Sequence, residues 1–365
     1  MGVGKSENVI RLGIIGSNYG RTVLLPAFRA DPRCEVVALA GSNAERTRKL
    51  ADEAGVAKAY GDWRQLVADQ DIDAVAIATM PSLQTEIALA AIQTGKPVFA
   101  EKPLAGDLSA ARAMLTAAEQ SGLPTGIDFN FHQIMPWLRA KVMLDQGAIG
   151  TLRHATVHWH VESYSIQQRM RNWKTIGGSD GGGVLGNFIS HCFHYLEWFV
   201  GPIAGLQARV AGMPDDPTLE TTVAMALQFA SGPQVSLSMS CASYKGTSHR
   251  IEFFGEDGTL VLHNPSLDYM RGFELTYAKR PGDFERIAAD DPIDAQYPDG
   301  RIAPVSRLAN KFFDAIAGAP TYKPNTAPGF AEGYRAQRLI DAAQRSHRQG
   351  KWIDVAAETA QEKKV

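Results

Sequence analysis

Two short stretches of this chain carry residue types suited to proton transfer at a hydroxyl or carbonyl. The first is Ala100-Glu101-Lys102-Pro103-Leu104, in which a lysine follows the apolar run Pro97-Val98-Phe99-Ala100. A buried ammonium shifts its pKa or finds a partner, which makes Lys102 a candidate proton donor or carbonyl polariser. The proline after it fixes the local backbone and permits a cis peptide at modest cost. Read alone, the tripeptide also fits a surface lysine opening the next helix. The second stretch is Gly181-Gly182-Gly183-Val184-Leu185-Gly186-Asn187-Phe188-Ile189-Ser190-His191. Its glycines let backbone approach a ligand closely. Asn187 and His191, four apart, share one face of a helix that begins near them. His191 suits general acid–base chemistry near neutral pH, although a lone helical histidine is commonly structural. His194, followed by Tyr195-Leu196-Glu197-Trp198, reads as core. Without a clear carboxylate or cysteine beside them, these histidines do not suggest a metal, and none is expected.

Lys102 needs a sheet to hold it, and the first third of the chain supplies one. Leu12-Gly13-Ile14-Ile15-Gly16 is a short apolar strand, and the turn Ser17-Asn18-Tyr19-Gly20-Arg21 leads into a helix from about Thr22. Strands at Cys34–Ala40 and Ala74–Thr79, and helices at Ala44–Ala54 and Gln84–Thr94, follow in alternation. This order predicts a parallel, doubly wound sheet, whose ligands sit beyond the carboxyl ends of the strands. The turn departs from G-x-G-x-x-G: Asn18 takes the second glycine's place, Arg21 the third's, and Gly20 is added. Asn tolerates left-handed angles, so Gly16, Ser17, Asn18, Tyr19, Gly20 and Arg21 still form a candidate phosphate turn. An ordinary strand-to-helix turn is the alternative. At the tip of the second strand, Ala40-Gly41-Ser42-Asn43-Ala44-Glu45-Arg46 lacks the acid that would bind a ribose 2′-hydroxyl. Ser42 can donate a hydrogen bond and Arg46 lies one turn into the helix, so NADP(H) is favoured over NAD(H).

At 365 residues the chain has room for about two domains. A formal charge of −2 with no basic block argues against a nucleic-acid surface. No apolar run is long enough to span a membrane, and the first hydrophobic run is already the nucleotide-binding strand. Three cysteines, Cys34, Cys192 and Cys241, lack C-x-x-C spacing and fit reducing cytoplasm. Met1-Gly2-Val3-Gly4-Lys5-Ser6 imitates a myristoylation signal and the end of a P-loop. With no preceding strand or upstream glycine spacing, a disordered leader is expected.

Beyond Gly126 strand signals crowd together: Leu152–Val161, Leu206–Val210, Thr221–Phe229, Gln234–Ser240, Arg250–Phe254 and Thr259–Leu262. The alternation in Gln234-Val235-Ser236-Leu237-Ser238-Met239-Ser240 leaves one polar face. Ser231-Gly232-Pro233 and Glu256-Asp257-Gly258 supply turns. A largely antiparallel open sheet follows, with one face on helices and the other solvated, holding substrate, or packed on another subunit.

Taken together, the segments Gly13–Gly16, Ala78-Thr79-Met80-Pro81, Gly95–Leu104, Gly181–His191, Phe254–Leu260 and Gly333–Ser346 resemble the glucose–fructose oxidoreductase/inositol dehydrogenase/MocA family over most of the chain. The resemblance implies an α/β protein: a Rossmann dinucleotide-binding domain over 8–128, and a C-terminal α/β domain with a large, mostly antiparallel open sheet over 129–355. A tail at 356–365 follows, and the terminal helix would pack back on the Rossmann domain. It further implies an oxidoreductase that transfers hydride between nicotinamide and a sugar, cyclitol, sugar acid or nucleotide sugar, as a homodimer or homotetramer through the open sheet. Lys102 matches the family's active-site lysine and His191 its catalytic histidine; Arg171-Asn172-Trp173-Lys174 resembles a segment reaching the nicotinamide. Thr79, Pro81, Gln84, Glu101, Trp173 and Lys174 then join the cofactor-binding set, and Arg171, Asn187, Lys102 and His191 contact substrate. Gln84 stands where a histidine is frequent, and Asn187 where an aspartate is usual; an amide orients a hydroxyl but takes no proton. His158, His160, Glu162 and Tyr164 are candidate readers of substrate hydroxyls. Transient redox in a dehydration or bond cleavage, or a non-catalytic nucleotide-dependent scaffold, are the alternative functions.

Overall fold

The structure, a computed structural model, describes residues 9–178, 181–266, 268–318 and 327–362. The Gly4-Lys5-Ser6 leader lies outside them. The chain forms two compact units: residues up to Asn130 together with Gln296–Arg335, and Phe131–Ala295 together with the chain from Ala336.

The first unit opens with β1 (Ile10–Ile15), α1 (Leu25–Arg29), β2 (Cys34–Ala40), α2 (Ala44–Glu53), β3 (Lys58–Tyr60) and α3 (Trp63–Ala68). It continues through β4 (Ala74–Ile77), α4 (Pro81–Gln93), β5 (Val98–Ala100), α5 (Leu108–Ser121) and β6 (Thr125–Ile127). Six parallel strands lie in the order β3-β2-β1-β4-β5-β6. Strand order reverses between β1 and β4, which opens a crevice at their carboxyl ends. Ala74-Val75-Ala76-Ile77 is buried throughout, as a strand covered on both faces requires. Helix starts are capped by side chains: Asn43 accepts from the Arg46 amide at 2.8 Å, and Asp107 from the Ala110 amide at 2.8 Å.

The second unit contains α6 (Met135–Asp145), β7 (Leu152–His160), the one-turn α7 (Tyr164–Gln167), α8 (Ser190–Val200), β8 (Ile203–Met213) and β9 (Asp216–Phe229). After these come β10 (Gln234–Ser240), β11 (Ser248–Gly255), β12 (Gly258–Asn264), β13 (Glu274–Lys279) and β14 (Glu285–Ile287). Their nine-stranded sheet runs β14-β13-β12-β11-β7-β10-β9-β8, closed at one edge by β15 (Ile353–Asp354). Neighbours are antiparallel except β7 and β10. Val235, Leu237 and Met239 of β10 face a core with Trp137, Phe193, Tyr195 and Phe199, whereas Gln234 and Ser236 are exposed. The expected polar/apolar alternation therefore sets the two faces of the sheet.

Three further helices come late in the chain: α9 (Ile302–Ile316), α10 (Phe330–Gln349) and α11 (Val355–Glu362). The amphipathic α9 completes the first unit. Phe313 meets Phe28 at 5.6 Å and Phe312 meets Phe99 at 5.7 Å between ring centroids, both edge-on. Arg33 binds Asp314 at 2.7 Å at the rim of this contact. Burying each ring contributes about 1.5–3 kcal/mol.

Candidate active site

In the first unit the site residues gather along the carboxyl ends of β2, β1, β4 and β5. Gly16 follows β1 with φ +115°, and a Cβ there would lie 2.2 Å from the Ala78 carbonyl oxygen. Only glycine fits. The chain then turns straight into a helix, because Gly20–Leu24 forms a π-turn that runs on into α1. Helical geometry therefore begins at Gly20, ahead of the expected Thr22. Arg46, on the first turn of α2, reaches back so that Nη2 donates to Asn18 Oδ1 at 3.3 Å. The turn and the β2 tip are thus tied together, with Ser42 exposed beside them. Arg21 Nε is buried with no acceptor among the described residues. A glycine cradle, a helix start and an unsatisfied guanidinium N–H fit a dinucleotide's pyrophosphate.

Lys102 stands just past β5, half-buried, with its peptide to Pro103 cis. Gln84, from α4, is fully buried and holds this loop: Nε2 donates to the carbonyls of Glu101 (2.6 Å), Leu104 (2.9 Å) and Pro103 (3.1 Å). Its Oε1 accepts the Glu101 amide at 3.0 Å. Every polar atom of the Gln84 side chain thus serves the backbone around Lys102. Thr79 and Pro81 lie where β4 passes into α4, with Pro81 in the first helical turn.

Asp128, which the sequence reading missed, is 1% exposed just past β6. Tyr19 Oη donates to its Oδ2 at 2.8 Å, and Glu101 hydrogen-bonds it. Burial first, and then the neighbouring carboxylate, push Glu101 well above the usual carboxylate range. Burial raises Asp128 as well, against the hydrogen bonds from Glu101 and Tyr19 and the charges of Lys102 and Arg301. Arg301, at the start of α9, lies over the Tyr19 ring at 5.2 Å.

In the second unit Asn187 lies within a π-turn, Leu185–Ile189, that feeds into α8, and His191 is in the first turn of α8. Such turns often mark functional positions. His191 is 7% exposed, with its ring 5.0 Å from Phe131 and 6.5 Å from Trp159. The glycine run packs against the Arg171–Lys174 segment: Gly183 donates to the Trp173 carbonyl at 2.8 Å. Glu220, a second residue missed in the sequence, accepts the Val184 amide at 3.2 Å, and a Cβ on Gly183 (φ +67°) would lie 2.2 Å from its Oε2. Arg171 is committed to Asp216 and to Thr218 Oγ1 at 3.2 Å, so its charge is already met by β9. Trp159 faces His191, so the alternation of β7 turns His158 and His160 to the opposite face, where His160 Nε2 meets Ser238 Oγ at 2.9 Å. Those two histidines therefore lie on the face of the sheet away from His191. Tyr164 and Glu162 are exposed beyond the strand end. His194 packs on the His132 ring at 5.0 Å. Among the described residues no three His, Cys, Asp or Glu side chains cluster as a metal site, and no helix is long and apolar enough to cross a membrane.

Comparison with known proteins shows the family. Residues 10–129 match the model of the oxidoreductase family, NAD-binding Rossmann fold, and residues 141–355 match that family's C-terminal alpha/beta domain. The chain belongs to the glucose–fructose oxidoreductase/inositol dehydrogenase/MocA family. As a member it is an oxidoreductase whose Rossmann domain binds NAD. A 1,5-anhydro-D-fructose reductase of Ensifer adhaerens is 30% identical over 258 residues, covering 70% of this chain and 76% of that one. A levoglucosan dehydrogenase of Pseudarthrobacter phenanthrenivorans is 24% identical over 353 residues, 87% of this chain and 88% of its own. Levoglucosan dehydrogenase solved with NADH superposes with a TM-score of 0.84 at 24% identity, covering 95% of this chain and 99% of that one, a likeness of fold.

Proposed function

We propose that the protein transfers hydride between a nicotinamide and a secondary alcohol or ketone of a sugar-like molecule, with NADP(H) preferred. What carries this reading is the Lys102 loop: a lysine at the carboxyl end of a Rossmann strand, fixed by Gln84 beside a buried acid pair. The nicotinamide supplies the hydride acceptor or donor. In oxidation His191 takes the hydroxyl proton on its imidazole. Lys102 hydrogen-bonds the oxygen as negative charge develops, and Asn187 orients the hydroxyl. In reduction a protonated His191 or Lys102 returns the proton. Trp173 and Lys174, next to the glycine run, contribute to the nicotinamide side.

Preference for NADP(H) is supported by the acid-free tip Gly41-Ser42-Asn43 and by Arg46, whose guanidinium rests on a neutral amide rather than a carboxylate among the described residues. The names of the reductase and dehydrogenase relatives support a sugar-like substrate. Pairing with a second copy would use the outer face of the large sheet, where His158, Gln207, Arg209, Ala224, Ser236 and Ser238 line a depression. A panel of sugars, cyclitols, sugar acids and nucleotide sugars, scored by nicotinamide absorbance with NAD(H) and NADP(H), tests the reading. Stoichiometric cofactor turnover with one of them is expected. Product formation without net cofactor change would overturn it in favour of transient redox.

A further inference from the structure

Two carboxyl oxygens in the first unit, Glu101 Oε1 and Asp128 Oδ1, are buried with no donor reaching them among the described residues. Left so, each would cost about 1–3 kcal/mol. They belong to two side chains that hydrogen-bond each other, which two bare carboxylates cannot do. One proton held between them supplies the missing donor. Asp128 is fixed on its far side by Tyr19 Oη at 2.8 Å, and Tyr19 is in turn covered by Arg301, which also pairs with Asp299. Among the described residues, the charges of Lys102 and Arg301 act on the pair, with Tyr19 as a neutral donor. A buried acid pair is a costly way to fill space that an amide and an acid would fill as well. Its position argues for use: Glu101 precedes Lys102, and Tyr19 is part of the phosphate turn.

We propose that Glu101 and Asp128 form a one-proton carboxyl dyad that surrenders its proton when a dinucleotide bearing the oxidised, positively charged nicotinamide binds, so that the two redox forms are told apart by charge. The exchange balances simply. A neutral carboxyl and a carboxylate become two carboxylates, the proton passes to the bulk buffer, and no bond to the ligand is made. Reduced nicotinamide lacks the ring charge and leaves the proton in place. Burial displaces both carboxyls upward, which favours keeping the shared proton in the unliganded protein.

This inference rests on dinucleotide binding by the first unit, and its test keeps the two apart. Calorimetric titration of the full chain with NADP⁺ and NADPH, and with NAD⁺ and NADH, in two buffers of different ionisation enthalpy counts protons released per ligand bound. Wild-type protein should release a fraction of a proton with the oxidised form that it does not release with the reduced one. The ratio of oxidised to reduced affinity should then rise with pH, by up to about tenfold per pH unit. Glu101→Gln and Asp128→Asn should each abolish the difference in proton release between the two redox forms. The infrared carbonyl band of a neutral carboxylic acid, present in the unliganded protein, should disappear in Glu101→Gln. Equal proton release for the two redox forms in wild type overturns the dyad whatever the variants do, as does a difference that survives in Glu101→Gln. Failure of any dinucleotide to bind wild type would instead overturn the cofactor assignment itself.

Discussion

Replacing Gln84 offers the most direct test of how Lys102 is held. Its amide nitrogen has two hydrogens and faces three carbonyls, at 2.6, 2.9 and 3.1 Å. At most two full hydrogen bonds are therefore lost on truncation, and those to Pro103 and Leu104 are buried. The Glu101 amide keeps a second acceptor, the Ile77 carbonyl at 2.9 Å, so the loss of Gln84 Oε1 adds little. Two buried bonds with stranded acceptors give a cost of ~2–4 kcal/mol for Gln84→Ala, read as a lower urea midpoint. Because the freed loop carries Lys102, kcat should fall by about tenfold or more, with a smaller change in KM. Gln84→Glu separates shape from polarity. A carboxylate would turn an acceptor towards three acceptors, so its folded pKa must lie above its unfolded value of ~4.3. The protonated variant keeps one donor and is nearly wild-type at low pH; its stability then drops progressively as pH rises above ~4.3. A Gln84→Ala midpoint equal to wild type, or a Gln84→Glu protein as stable as wild type at neutral pH, would refute the clamp.

Lys102→Ala and His191→Ala should each lower kcat by about 10²–10⁴, and the double variant by much less than their product if both serve one reacting hydroxyl; a multiplicative double loss in single-turnover kinetics contradicts that. Arg46→Ala should weaken NADPH binding by ~1.5–3 kcal/mol and leave NADH nearly unchanged, as calorimetric titration would reveal. His249, stacked on Trp159 at 4.4 Å and hydrogen-bonded to Tyr195 at 3.1 Å, is held down to about 3 by burial. A depressed histidine stabilises the fold above its unfolded pKa of ~6.5 and loses that contribution as pH falls towards the folded value. His249→Phe should therefore flatten the decline of Tm below about pH 6.5, and an unchanged slope would refute this account.

Much of the first unit was legible because parallel strands buried on both faces write themselves as unbroken apolar runs, and Gly16 announces its turn. Short edge elements such as Lys58–Tyr60 and Thr125–Ile127 carry three residues each, too few to show a period. The alternation of Gln234–Ser240 disclosed the open sheet, but not that this strand pairs parallel to Leu152–His160, because pairing direction leaves no mark on side-chain periodicity. Within the candidate site, residue type nominated Lys102 and His191. The partners that hold the site together were invisible for a different reason. Gln84 and Asp128 act through contacts set by the sheet, and Glu220 meets Val184 across 36 positions of sequence. An acid beside Phe129 could have raised suspicion, since a carboxylate in an apolar run needs a partner. The helix Ile302–Ile316 shows its amphipathic stripe plainly, yet a stripe does not say which sheet it covers.

That helix also sets a timetable. Phe28 and Phe99 leave the ribosome early, whereas Phe312 and Phe313, which cover them, are made roughly 180 residues after Asn130. At about 5–20 residues per second, the nascent nucleotide-binding sheet waits roughly 10–35 s with that apolar surface bare. A growing chain in this state is a natural client for chaperones that shield exposed phenylalanines. For the same reason, a fragment ending at Asn130 is a poor candidate for separate expression, whereas one that splices Gln296–Arg335 behind it carries its own cover.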